Sequence, residues 1–180
     1  MFIDPMRIFF IILLAILVVA LQLTAMPRLA VLAIAPNLIL AGVLAYAAWQ
    51  TEHKNIWLIL IPVLFFELAA GRPFGLLALS LWLAYFSVER LGATFLKQND
   101  LLAVSSLILA GLLIFELCKF LLSYIFSIWH LAEPIKLSAF YFYAILPISV
   151  IYNGILSLCF LWLLDNKKLF KNHGQVAKFK

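Results

Sequence analysis

Apolar positions in this chain follow one another in long unbroken runs, parted by short clusters of charge, Gly and Pro, and do not alternate with polar ones. Six such runs stand out, at residues 8–26, 29–49, 55–70, 74–88, 101–123 and 137–164. A hydrocarbon core takes about 20 residues of helix, with a range of roughly 17 to 25. The runs therefore predict an all-α membrane protein, a compact bundle of about six transmembrane helices. The missing period of two argues against the strands of an outer-membrane barrel. The third and fourth runs are short, so a re-entrant hairpin in place of two full spans is the alternative. Their shared turn, Gly71-Arg72-Pro73-Phe74-Gly75, suits either form, because glycine admits unusual dihedrals and Pro73 stops helix continuation.

Composition agrees: 67% hydrophobic residues, 12% charged residues and a mean hydropathy of +1.13 place the chain far outside the soluble range. Residues 1–164 are expected to form a six-helix transmembrane domain and 165–180 a basic cytoplasmic tail. The net charge of +5 is no sign of a nucleic-acid partner, because five of the thirteen basic residues are Lys167, Lys168, Lys171, Lys178 and Lys180. Anionic lipids would hold such a tail at about 1 kcal/mol per charge near the surface. With a cytoplasmic N-terminus and six spans, Arg7, Lys54, Arg90, Lys97 and the tail lysines lie inside, against Arg28, Arg72 and Lys136 outside. That nine-to-three bias puts both termini in the cytoplasm. Trp49, Trp57, Trp129 and Trp162 fall near span ends, where indole favours the interface. A signal-peptide reading of the first run is disfavoured by its length and by Leu23, which fills a position where cleavage wants a small side chain.

Catalytic signatures are absent: no GxxxxGK[ST], HExxH, GxSxG or GxGxxG occurs. His53 and His130 border membrane faces, His173 lies in the tail, and Cys118 and Cys159 are isolated in apolar runs. The expectation is a non-enzyme with no metal and no cofactor.

Polar groups inside the runs are the candidates for a specific role, since they are costly in lipid. Glu67 stands five residues before Arg72, within reach for an ion pair that pins the turn; a ligand or partner contact is the alternative. Glu116 and Lys119 share one helical face deep in the fifth run. Each alone would cost at least ~2.5 kcal/mol, so an internal pair is expected, with a polar pocket or partner contact as alternatives. Pro36-Asn37 in the second run and Pro147 with Asn153-Gly154 in the sixth predict helix bends and packing contacts. In the fourth run Ser80, Ala84 and Ser87 form a small-residue strip, a candidate packing face.

In order along the chain, a first hydrophobic anchor, then Pro36-Asn37-Leu38-Ile39-Leu40, then Glu67 followed by Gly71-Arg72-Pro73-Phe74-Gly75-Leu76-Leu77-Ala78-Leu79, resembles the MreD family, the small membrane subunit of the bacterial rod-shape machinery. Length, span count and the basic C-terminus agree, and the resemblance in detail covers residues 36–90. The chain departs from the family in having Glu67 where Asp is usual and Leu77 where His is common. The resemblance implies a non-enzymatic scaffold of the elongation complex in the bacterial inner membrane. Such a scaffold binds an MreC-like single-span protein and other rod-complex membrane proteins, and links the actin-like cytoskeleton to peptidoglycan synthesis. MreD-like chains are also similar in fold to the substrate-binding membrane subunits of energy-coupling-type vitamin transporters. That similarity implies the alternative function, with Asn37, Glu116, Lys119 and Asn153 converging on a cavity.

Overall fold

The computed structural model describes residues 5–32, 34–49, 56–71, 73–95, 101–131, 133–135 and 138–176. Six α-helices follow one another: α1 Pro5–Thr24, α2 Leu38–Trp49, α3 Ile56–Ala69, α4 Leu76–Phe95, α5 Leu101–Ile128 and α6 Leu146–Val176. A 3-10 turn, Met26–Leu29, follows α1, and a π-helical turn, Tyr141–Ile145, runs into α6. Among the described residues there is no β-strand, and Val31 and Ile34 make one isolated bridge.

α2 is the axis of the bundle. It is apolar on every side, as a helix enclosed by others should be, and it packs against each of the other five. Ile39, Leu40, Ala41, Val43, Leu44, Ala45 and Ala47 are all buried. Leu40 and Leu44 meet Val63 of α3, Leu81 and Val88 of α4, and Ile108 and Leu112 of α5 in one core cluster. Gly111 on α5 sits close to both neighbours: a Cβ atom there would lie 2.5 Å from Val88 Cγ2 and 2.9 Å from Leu44 Cδ2. Only a residue without a side chain lets three helices meet there, the small-residue logic of membrane helix packing.

Outside that core, large apolar side chains face outward, among them Leu13, Leu14 and Leu17 on α1 and Ile151, Ile155 and Leu163 on α6. Contiguous apolar exteriors of this kind are a liability in water and the normal state in lipid. Residues 76–93, 102–128 and 141–164 are helical stretches long and apolar enough to cross a membrane. Residues 12–24 of α1 and helix α2 are apolar but shorter.

The helices depart from the sequence-based limits in physically informative places. The second one starts at Leu38, not at residue 29, so Pro36-Asn37 precedes α2 and puts no bend in it. Pro36 disfavours the α conformation in the residue before it, and Leu32 adopts a positive φ of 51°. α4 and α5 run past residues 88 and 123 to Phe95 and Ile128. Arg90 does not end α4, because its guanidinium lies 5.0 Å from the Phe86 ring centre, one turn back. α6 continues to Val176, through much of the basic tail. Pro147 is tolerated by a widened turn: the π-helical residues precede it, and Leu146 N–H reaches back five residues to Tyr141 O. Pro62 lies inside α3, a proline that the apolar run gives no reason to expect there.

Candidate functional site

Among the described residues two polar constellations that interrupt the apolar bundle are built around the buried Glu67 and Glu116, and Glu89 of α4 is buried as well. The first stands at the α3–α4 turn. Gly71 and Gly75 have φ of 62° and 93°, the left-handed conformations that other residues adopt at a cost. Gly75 occupies the N-cap position of α4, where a residue with no side chain cannot satisfy the first amides of the helix. Glu67, fully buried on the last turn of α3, supplies the missing acceptor. Gly75 N–H donates to its Oε2 at 2.8 Å, while Leu77 N–H and Ala78 N–H both donate to Oε1, the latter at 3.1 Å. Leu76 N–H goes to Pro73 O and Leu79 N–H to Gly75 O, so every amide at the start of α4 is accounted for. A carboxylate at a helix N-terminus is further favoured by the helix dipole.

Arg72, the partner that spacing suggests for Glu67, lies outside the described residues. What the structure does show is that the carboxylate is fully buried and faces backbone amides. Ser80 and Ala84 of the small-residue strip are likewise fully buried within the chain.

The second constellation spans α1, α2, α5 and α6. Glu116 Oε2 pairs with Lys119 Nζ at 2.5 Å, so the ion pair implied by their spacing forms. Oε2 also accepts from Tyr141 Oη at 2.9 Å, and Oε1 accepts from Ser149 Oγ at 2.9 Å. The π-helical turn thus places Tyr141 opposite α5. One turn beyond Ser149, Asn153 donates from Nδ2 to Ser149 O at 2.9 Å. Its Oδ1 accepts from Asn37 N–H at 2.7 Å, which ties α6 to the head of α2. Asn37 is the N-cap of α2, accepting from Leu40 N–H at 3.1 Å. Gln22 of α1 closes the chain of contacts, accepting from Leu38 N–H at 2.7 Å and donating to Pro36 O at 3.0 Å. These groups surround a cavity of about 290 Å³ lined by Gln22, Asn37, Glu116, Lys119, Ser149 and Asn153. Phe66 and Leu77 also line it, so the Glu67 cap stands at the same end of the bundle.

Asn37, Glu116, Lys119 and Asn153 are therefore brought together, as the pocket alternative expects. Gln22, Ser149 and Tyr141 join them without having been singled out in the sequence. Ser149 stands at i−4 from Asn153, which is a usable signal; Gln22 is a lone amide in an apolar run, and Tyr141 offers none. Gly154, with Leu112 Cδ1 3.6 Å from where its Cβ would be, makes an ordinary contact rather than a close approach. His130 is exposed beyond α5, and His53 lies outside the described residues. Among the described residues no three His, Cys, Asp or Glu side chains group to hold a metal ion.

Comparison with protein-family models, with curated proteins and with solved structures finds no match to this chain.

Proposed function

We propose that this chain is a multispan, non-enzymatic scaffold of the MreD kind, crossing the bacterial inner membrane six times with both termini in the cytoplasm. In this role it holds an MreC-like single-span protein and other membrane components of the rod-shape complex in place. The reading is carried by the work done by the residues that suggest the family. Asn37 caps α2, and the Glu67, Gly71, Pro73, Gly75 segment builds the head of α4. Both features fix where helices begin and stand at one end of the bundle. With the Glu67 and Glu116 clusters turned inward, the chain presents large apolar side chains on its helix faces, and association in lipid relies on the shape of such faces.

Helices α2 and α3, with 12 and 14 residues, are shorter than a hydrocarbon core. Local thinning of the bilayer completes their crossing. The test is depletion of the chain in a rod-shaped bacterium that makes it, joined to purification from mild detergent. Rounded cells and copurification of a single-span protein with a large external domain are expected. Unaltered rods, with no such partner recovered, would contradict the proposal.

The cavity favours a second reading, a small-molecule-binding subunit of an energy-coupling-type transporter. At about 290 Å³ it lies at the lower edge of ordinary ligand sites, which run from ~300 to 1,000 Å³. Copurification with ATP-hydrolysing subunits in place of a single-span protein would select this reading.

A further inference from the structure

The wall of the polar cavity carries more hydrogen-bond donors than the protein uses. Asn37 accepts at Oδ1, but its Nδ2 donates to no described residue. Lys119 Nζ has three N–H donors, of which one is directed to Glu116. Glu116 receives Tyr141 and Lys119 on one oxygen and Ser149 on the other. Acceptor capacity is left at Gln22 Oε1 and Asn153 Oδ1, each of which receives one N–H and has a second lone pair.

Charge decides what such a wall can take. The Glu116 carboxylate and the Lys119 ammonium cancel, and a charged guest would leave one unbalanced charge inside the bundle. A neutral guest adds none. The remaining wall is apolar, from Leu40, Phe66, Leu77, Phe115 and Ile145. A volume of 290 Å³ equals about ten waters at ~30 Å³ each, which sets the size.

We propose that this cavity binds a small, electrically neutral amide of about ten non-hydrogen atoms. Its carbonyl oxygen accepts from the unused donors of Asn37 and Lys119, its N–H groups meet Gln22 and Asn153, and its apolar body lies against the apolar wall that includes Phe66 and Phe115. The inference concerns the interior and holds whether or not the outer faces grip partner proteins.

Equilibrium dialysis of the purified full-length chain in detergent, with labelled benzamide, benzoate and benzylamine, tests it. The three probes share one ring and differ in charge. Benzamide is expected to bind saturably at one site, at least ~10-fold more tightly than the other two. Asn37→Ser keeps an oxygen to cap α2 and loses both amide donors. In that variant, shown by circular dichroism to be folded, benzamide is expected to bind about 10-fold more weakly. No saturable benzamide binding, benzoate or benzylamine binding as tightly, or unchanged affinity in folded Asn37→Ser would overturn the proposal. Loss of the partner protein in the copurification experiment bears on the scaffold alone and leaves this result standing.

Discussion

Glu67 and Glu116 are both nearly inaccessible carboxylates in an apolar bundle, at 0% and 7% exposure, yet they are stabilised in opposite ways. Glu67 is held by backbone amides eight to eleven residues further along, within one helix–turn–helix. Glu116 is held by side chains, Lys119 one turn away and Tyr141 and Ser149 from across the bundle. Backbone amides cannot change rotamer or be titrated away, so the first site is a fixed joint. Side-chain donors can rearrange, so the second can admit a guest. The same end of the molecule thus combines a rigid turn with an adaptable interior.

If that contrast is right, removing the Glu67 carboxylate should do the most damage. Glu67→Ala leaves the Gly75, Leu77 and Ala78 amides without their acceptor and opens a void in the core. A loss of about 4 kcal/mol is expected in reversible unfolding from mixed micelles. Glu67→Gln, which keeps one acceptor oxygen but no charge, should cost about half that. Lys119→Met is next, at about 3 kcal/mol, because Glu116 keeps two neutral donors but loses its counter-charge. Adding Glu116→Gln to it should recover part of the loss, whereas no second change rescues Glu67→Ala. A double-mutant cycle on Glu116 and Lys119 reads this directly.

Gly111→Ala tests the packing that supports both sites. A methyl group 2.5 Å from Val88 Cγ2 must push α4 or α5 aside, at about 2 kcal/mol, visible as a lower melting temperature. The smallest effect belongs to Tyr141→Phe, which removes one of Glu116's donors while others remain. About 1 kcal/mol is expected in the same assay, with α6 otherwise undisturbed.

The two regions also differ in how readily they are read from the sequence. Around Glu67 everything is local: Gly71, Pro73 and Gly75 announce the turn, and an acid one turn before it announces a polar contact. The backbone amides carry no signal, because they have no letter of their own, while Arg72, the side-chain partner that spacing suggests, lies outside the described residues. Glu116 with Lys119 was legible as an i,i+3 pair. The rest of that network depends on which faces of α1, α2, α5 and α6 meet, and a helix apolar all round does not declare its orientation. Tyr141 reaches Glu116 from a π-helical turn that precedes Pro147, a feature that hydropathy does not encode. The sequence places Asn37 inside the second helix, whereas it caps α2, since an N-cap and an in-helix asparagine look alike inside an apolar run.

Glu67 holds the head of α4 by its amides, and hydrogen exchange of the Leu77 and Ala78 amides, measured in bilayer nanodiscs for the native chain, Glu67→Ala and Lys119→Met, tests this most directly. Slow exchange is expected in the native chain and in Lys119→Met, with clearly faster exchange at those two amides in Glu67→Ala, which has no acceptor left for them. Equal protection in all three proteins would contradict it.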